Sequence, residues 1–491
     1  MTIPVQDACA PAAPRPRPHR GRTLAAAACL ALASPLAAAE PLGLDEAIQR
    51  ATDTSGDVQG ARLDADAKAQ EAQAVAGLGL PRVDAYAFAG RVATSVNLDV
   101  SNVAALVNPV VSGVDQAVPV AQIPPLPNVL STNRYLSLSS PGVGVSWPIF
   151  TGGRIQALHG VAEGRATEAR SDLQAEREHL QQVTAERYFG AQLAVGAWRL
   201  RQDAVDDLMR HHRDALALEA AGMIARADRL RADVALDDAR RELSRAESDR
   251  DLACVALQRL VGMDQPVDPK TPLFVHAGPI GSLQSFVDAA LVRNTAWSKL
   301  DAKRRQADET LSLNGSPHAP TVLAVGNYNQ NQSHDVLVRP NWFVGIYLTI
   351  PIAGGLDRGA LRQAAQLERE RVEVMAAQAR RDLPTLVEVR WRAVENARAR
   401  FQTMDATIAL ARENLRLQEA AFRQAQAPAV EVVDARVTLA KVLTERLQAA
   451  YDYDLALAGL LQATGEPERL VELARSAEFQ VRAEDIPGVA P

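Results

Sequence analysis

Cysteine, aromatic residues and long apolar runs are all scarce in this chain. Aromatic residues make up 4% of its 491 positions, and three positions are cysteine. Cys254 is the only cysteine after residue 39, so residues 40–491 cannot form an internal disulfide. No stretch after residue 39 supplies the roughly 20 consecutive apolar residues that a membrane-spanning helix needs. The sequence therefore predicts neither a disulfide scaffold nor a helical membrane protein.

Motifs of catalysis and cofactor binding are also missing. The sequence has no Gly-x-x-x-x-Gly-Lys phosphate loop, no Cys-x-x-Cys pair and no Ser/His/Asp series of a hydrolase. His211 and His212 are adjacent and point in different directions on a helix, which disfavours a metal site. The formal net charge of −6 disfavours a nucleic-acid surface. We predict a protein that is not an enzyme and that has no cofactor, no metal and no nucleic-acid partner.

The first 39 residues have the pattern of a secretory signal peptide. A basic segment precedes an apolar segment from Thr23 to Leu36, and Ala37-Ala38-Ala39 supplies small residues for cleavage. A membrane anchor and a lipidated Cys29 are the alternatives. The apolar segment is short and rich in alanine, so we expect an exported chain.

A strand-to-helix junction occurs twice in the sequence. Its hinge residues are Pro148, Gly152 and Gly153 in the first copy and Pro351, Gly354 and Gly355 in the second. Each copy follows an alternating apolar run and precedes a long helical segment, and the paired glycines permit a bend that other residues resist. The offset between Pro148 and Pro351 also relates Gly262 to Gly465. Such fixed offsets predict an internal duplication.

The duplication divides the chain into segments. We predict a signal peptide at 1–39, a first repeat at 40–280, a second repeat at 281–466 and a C-terminal tail at 467–491. Each repeat reads as a helix, a β-hairpin and a long helical hairpin, with Leu44–Leu80 and Leu283–Asn314 each read as one helix. The proline-free segment from Arg154 to about Ala221 could reach roughly 100 Å as a helix.

Residues 97–133 are an insertion in the first repeat. They hold several prolines, and Asp99 and Asp115 are their only charged residues. Proline disfavours both a helix interior and a central strand. We therefore predict a long apolar surface loop at the outer end of the first hairpin.

Helices this long and this poor in aromatic residues are typical of a rod or a tube wall. Each chain supplies four predicted strands, whereas membrane barrels begin at about eight. Several chains must therefore share one barrel if these strands enter a membrane.

Four motifs carry a resemblance to a known family. They are Leu44-Asp45-Glu46-Ala47-Ile48, Leu80-Pro81-Arg82-Val83, Pro148-Ile149-Phe150-Thr151-Gly152-Gly153-Arg154 and Glu431-Val432-Val433-Asp434-Ala435-Arg436. On these motifs the chain resembles the TolC-type outer-membrane efflux proteins. The resemblance implies a mainly α protein with a membrane β-barrel: a homotrimer with one twelve-stranded barrel and a periplasmic α-helical tunnel. It also implies an exit duct in the outer membrane of a Gram-negative cell, in contact with lipid, a periplasmic adaptor and an inner-membrane transporter.

The resemblance also implies sites at the tips of the helical hairpins. Asp228, Glu431, Asp434 and Phe422 match gate residues, while Ala427 stands where some family members have an arginine. Gly222, Met223 and Ile224 match the turn that meets the adaptor, with Ala427 and Pro428 in the equivalent second turn. Two plainer readings stay open: the acids are helix-start residues favoured by the helix dipole, and Gly222 is a helix cap.

A second function class also fits parts of the sequence. Long helices without disulfides could form a soluble periplasmic coiled-coil scaffold. The strand segments, and the aromatic residues near their ends such as Trp147, Tyr328 and Trp342, favour the membrane channel instead.

Overall fold

The structure is a computed structural model that describes residues 40–117, 124–315, 319–330, 341–352, 357–424 and 426–481. The predicted signal peptide at 1–39 and the hinge residues Gly354 and Gly355 lie outside these ranges. None of the described helices is both long and apolar enough to cross a membrane.

Helices dominate the described ranges. They are α1 (Leu44–Thr54), α2 (Gly56–Ala76), α3 (Ser101–Ala117), α4 (Arg154–Ala220), α5 (Arg226–Leu260), α6 (Leu283–Arg293), α7 (Thr295–Gly315), α8 (Arg358–Arg423), α9 (Ala429–Thr464) and α10 (Arg469–Ser476). The strands are β1 (Glu40–Leu42), β2 (Arg82–Asp99), β3 (Val129–Phe150), β4 (Val267–Pro269), β5 (Leu273–Val275), β6 (Thr321–Asn329), β7 (Trp342–Thr349) and β8 (Phe479–Val481).

The long helices form a wall that has two levels. Near the sheet the neighbours are α2, α4, α7 and α8; towards the hairpin tips they are α5, α4, α9 and α8. Helices α4, with 67 residues, and α8, with 66, run through both levels. Near the sheet, ion pairs join α4 to α7; for example, the Lys303 ammonium lies 2.5 Å from the Glu168 carboxylate. One side edge of the wall is therefore formed by α2 near the sheet and by α5 near the tips, and α8 forms the other side edge along its whole length.

The largest apolar core lies where the two levels meet. Tyr188 and Phe189 of α4 pack edge-on near Phe274 of β5, which packs edge-on to Tyr453 of α9. The Tyr188 hydroxyl donates to the Leu42 carbonyl at 2.7 Å. These contacts hold two small sheets against the helices, β1 parallel to β4 and β5 antiparallel to β8.

A four-stranded antiparallel sheet extends from the other end of the wall, with the order β2-β3-β6-β7. Its register places Val83 opposite Val145, Val145 opposite Gly326 and Gly326 opposite Val344. Side chains alternate across a strand, so this row lies on one face and the row through Asp84 and Asn327 lies on the other. Strands β2 and β7 are the edges of the sheet.

The first hinge has the geometry that the sequence predicts. Gly152 and Gly153 have φ angles of 62° and 83°, in the left-handed region that favours glycine. A Cβ added at Gly152 would lie 2.3 Å from the Cβ of Ala319. The β3–β6 register shifts between Pro148 and Phe150, so a bulge lies just before the turn. Pro351 follows β7 in the second copy.

Two predicted helices are divided, which corrects the sequence prediction. The first breaks at Ser55, whose hydroxyl accepts from the Val58 amide and caps α2. The second breaks at Asn294, whose side-chain oxygen accepts from the Ala296 amide at 2.9 Å. In both cases a side chain satisfies a free amide that a new helix start creates. The tail is also ordered locally, with α10 followed by β8 paired to β5.

The prediction that residues 97–133 form a loop is wrong for most of the insertion. Strand β2 continues to Asp99, β3 begins at Val129, and α3 forms between them with Pro109 inside it. The missing amide of Pro109 costs one helical hydrogen bond. Asn108 offsets this cost because it bonds both backbone groups of Leu126, at 3.0 and 2.7 Å.

Candidate functional site at the hairpin tips

The turn between α4 and α5 is a compact helix cap. Gly222 has a φ of 74°, its amide donates to the Glu219 carbonyl, and the Met223 amide donates to the Leu218 carbonyl. This pattern is the Schellman motif, which commonly ends helices at a left-handed glycine. Met223 is 52% exposed, while Ile224 is half-buried against the core. The turn thus presents one large apolar side chain at the tip.

The second turn joins α8 to α9. The Gln426 amide donates to the Ala421 carbonyl at 2.9 Å, and Pro428 is the N-cap residue of α9. Ala427 is half-buried and Pro428 is exposed. Proline suits this position because its missing amide would have no helical partner there.

The three predicted gate acids lie at the beginnings of the return helices. Asp228 is in the first turn of α5 and Glu431 in the first turn of α9, with Asp434 one turn further. Glu431 and Asp434 are exposed, and Asp228 is half-buried with Arg231 at 4.0 Å. The helix-start reading therefore describes Asp228 and Glu431 correctly, and it leaves their charges available at the tip.

Phe422 is placed differently from the acids. Its side chain is 1% exposed and lies against His211 of α4, with ring centroids 4.6 Å apart. Its role in the described conformation is to pack α8 onto α4. His212, the neighbour of His211, faces α5 instead, and its Nε2 lies 2.6 Å from Asp233. His211 therefore contacts α8, whereas His212 contacts α5.

An ion network centred on Arg436 joins three helices beside these residues. The Arg436 guanidinium of α9 lies 3.1 Å from an Asp207 carboxylate oxygen of α4 and hydrogen-bonds Glu419 of α8. The three side chains are only 12 to 16% exposed. Arg210 also pairs with Asp207, and Arg423 lies 3.4 Å from Glu419. Two acids and three guanidinium groups thus meet where α4, α8 and α9 come together.

Burial dominates the electrostatics of this network. It raises the pKa of Asp207 and lowers the pKa of Arg436, although the two groups attract each other. Burial, and then the positive charge of Arg436, lower the pKa of His211 to about 4. His211 is therefore neutral at pH 7.

Most of the chain matches the model of a known protein family. The family model described as outer membrane efflux protein matches residues 47–263 and 286–466. The chain belongs to the outer membrane efflux protein family. It is an outer-membrane protein of a channel family, which sets aside the soluble scaffold as its function.

The individual relatives share only modest sequence identity with this efflux-family chain. Protein CyaE of Bordetella pertussis is 28% identical over 292 residues, which span 53% of this chain and 59% of that protein. Among solved structures, the Campylobacter jejuni CmeC outer membrane channel has a TM-score of 0.67 and 14% identity, covering 89% of this chain and 90% of its own. The open state of the Neisseria gonorrhoeae MtrE channel has a TM-score of 0.66 and 18% identity, covering 86% and 89%.

A groove runs along the wall beside the Arg436 network of this efflux-family protein. It has a volume of about 590 Å³ and lies between α5 and α9, with α4 as its floor. Val433, Val437 and Ala440 of α9 line one side, and Ala235 and Ala239 of α5 line the other. The small residues let the two helices lie over α4 without filling the space between them.

Sequence reasoning did not find the Arg436 network. Arg436 lies within the acidic signature Glu431–Arg436, but the resemblance to the family assigns a role only to the acids of that motif. The partners Asp207 and Glu419 are on two other helices, and no local spacing connects them to Arg436. A charged residue between the buried positions Ala435 and Leu439 of α9 was the one available signal.

Proposed function

We propose that this protein is the outer-membrane exit duct of a tripartite efflux or type I secretion machine. It passively conducts substrates that an inner-membrane transporter and a periplasmic adaptor deliver. Three copies assemble into a homotrimer, in which each chain gives four strands to one twelve-stranded barrel. The long helices of the three chains form the periplasmic tunnel.

The four-stranded sheet is the observation that carries this proposal. One face is apolar, with Val83, Val145, Trp147, Trp342, Val344 and Ile346 among its residues, and the last three are 69 to 74% exposed. The opposite face carries Arg82, Asp84, Asn327 and Asn329, with Phe343 and Tyr347 nearer the β7 edge. Membrane barrels alternate in this way between lipid and lumen.

The edges of this sheet explain why several copies are needed. Both β2 and β7 lack a second neighbour within the described chain, and unpaired backbone groups are costly in lipid. Pairing β2 of one copy with β7 of the next satisfies both edges. Strands β6 and β7, with nine and eight residues, approach the length of about 9–11 residues that spans the hydrocarbon core.

The hairpin tips are the proposed gate of this duct. In a trimer, Asp228, Glu431 and Asp434 of three chains gather at the inner end of the tunnel, where their charges repel. Something other than these acids must hold the tips together. The Arg436 network is suited to this role because it ties α9 to both α4 and α8, while Phe422 adds an apolar contact. Met223 and Pro428 are the proposed contacts for the adaptor.

The mass of the purified chain tests this proposal. Extracted from outer membranes in mild detergent, the chain should have the mass of three copies after correction for bound detergent, and it should open ion-conducting pores in planar bilayers. A stable monomer that carbonate releases from membranes would contradict both the trimer and the duct. A trimer without conductance would contradict the duct alone.

A further inference from the structure

The first β-hairpin continues well beyond the four-stranded sheet. Among the described residues, strand β6 pairs with β3 from Gly142 to Phe150, whereas the β2–β3 pairing continues from Ala87–Pro141 to Asp99–Val129. This two-stranded ribbon is about 40 Å long at about 3.3 Å per residue. It extends away from the helices, because β2 begins and β3 ends at the helical side, where the Trp147 indole donates to the Gly79 carbonyl at 3.1 Å.

Helix α3 closes the end of this ribbon and is fixed on one side. Ala104 is fully buried, Asn108 makes its two hydrogen bonds to Leu126, and the Val100 amide donates to the Asn128 carbonyl at 3.0 Å. The helix is therefore held against the segment that leads into β3, and its orientation on the ribbon is set.

The other side of α3 is an uncovered apolar stripe. It consists of Val103, Leu106, Val107, Val110 and Val114, at spacings of three and four residues. Leu106 is 76% exposed and Val110 is 65% exposed. Stripes of this spacing pack against other helices, and an apolar surface left in water marks an interaction site.

The charge pattern of α3 indicates which partner covers the stripe. No ionisable residue lies between Asp99 and Asp115. A helix that binds the membrane surface usually carries lysine and arginine on its polar face, and α3 has neither. The stripe itself carries no charge, so the stripes of two copies can meet without burying an ionisable group, and a second copy of the same helix is the best match.

The ribbon also changes which of its faces is apolar. Near the helices, the face with Asp84 is polar and the face with Val83 is apolar. At the far end, Leu98 and Leu130 lie opposite each other on the Asp84 side, while the mixed pairs Asn97–Ser131 and Asp99–Val129 lie on the other side. In the proposed channel the Asp84 side faces the lumen. The apolar surface at the outer end is therefore directed over the channel mouth and away from its surroundings.

We propose that the α3 helices of three copies pack together through this stripe and form an apolar cap over the outer mouth of the channel. This inference rests on the proposed trimer. A twelve-stranded barrel has a radius of about 12 Å for strands about 4.8 Å apart and tilted by about 40°. The ribbon is several times longer than this radius, so three ribbons can reach the threefold axis.

Cysteine crosslinking tests the cap in the full-length protein. With Cys9→Ser, Cys29→Ser and Cys254→Ser as the background, so that no native cysteine remains, Leu106→Cys should form disulfide-linked dimers of protomers on oxidation, because disulfides need Cβ atoms about 3.5–4.5 Å apart. Ser112→Cys is the matched control, since Ser112 is also exposed but lies on the side of α3 away from the stripe. It should remain unlinked.

The mass of the native complex separates failure of the cap from failure of the channel. A trimer that is linked at position 106 and not at 112 supports the cap. A trimer that stays unlinked at position 106, that links equally at 112, or that links to a different protein overturns the cap and leaves the proposed duct intact. A monomer would overturn the proposed trimer itself, and the cap with it.

Discussion

Replacing Arg436 with methionine tests whether the ion network holds the gate closed. Methionine keeps most of the apolar stem and removes the guanidinium, so Asp207 and Glu419 lose their shared partner. Removing one member of a buried ion pair costs about 3–5 kcal/mol. Arg210 and Arg423 still pair with the two acids, which lowers the expected cost to about 1–3 kcal/mol.

This cost falls mainly on the closed tip. If α9 moves away from α4, the carboxylates of Asp207 and Glu419 regain water, so the open state loses less than the closed state. A difference of about 1.4–2.8 kcal/mol shifts the open–closed equilibrium by about 10- to 100-fold. We therefore expect Arg436→Met trimers to show a higher open probability in planar bilayers and a lower unfolding temperature.

Two further variants isolate the effect. Arg416→Met removes an arginine from an exposed ion pair with Glu413 on α8 and should change the open probability little. The triple variant Asp207→Asn, Glu419→Gln, Arg436→Met removes the uncompensated charges and should recover much of the lost stability. If Arg436→Met trimers conduct like the Arg416→Met trimers, the network does not hold the gate and the reasoning is wrong.

Three other changes have definite expected results. The folded-state pKa of His211, about 4, lies below the unfolded value of 6.5, so the free energy of unfolding should fall by up to about 3 kcal/mol as the pH drops from 6.5 towards 4. In thermal unfolding, His211→Leu should show a smaller loss of stability over this pH range. The raised pKa of Asp207 changes stability with pH in the opposite direction, but Asp207 is present in both proteins and does not affect the comparison. Glu431→Ala combined with Asp434→Ala should reduce cation selectivity and block by multivalent cations while the trimer forms normally, since the change removes repulsion; unchanged selectivity would make these acids helix-start residues only. Gly152→Ala and Gly153→Ala should each cost roughly 1–2 kcal/mol, because alanine resists the left-handed backbone conformation. Gly152→Ala should destabilise the protein further, because only there does the added Cβ meet Ala319. Equal unfolding temperatures for the two variants would contradict the hinge geometry.

The sequence alone determined the elements whose cause is local. The proline-free segment from Arg154 to about Ala221 predicted α4, which ends at Ala220, because helix formation depends on neighbours three and four positions apart. The same composition predicted a long helical hairpin in each repeat, which α4 forms with α5 and α8 forms with α9. The glycines at 152 and 153 predicted the hinge because few other residues adopt positive φ angles. The motif resemblance to the family was confirmed by the family model.

The tertiary structure decided the features that depend on distant contacts. Helix α3 forms around Pro109 because Asn108 hydrogen-bonds Leu126 in the segment that leads into β3, and the tail is ordered because β8 pairs with β5. Phe422 turns inwards because His211 of another helix gives it a surface to pack on. Arg436 became the centre of the tip only when folding brought Asp207 and Glu419 beside it, since a buried guanidinium is stable only where distant parts of the chain supply opposite charge.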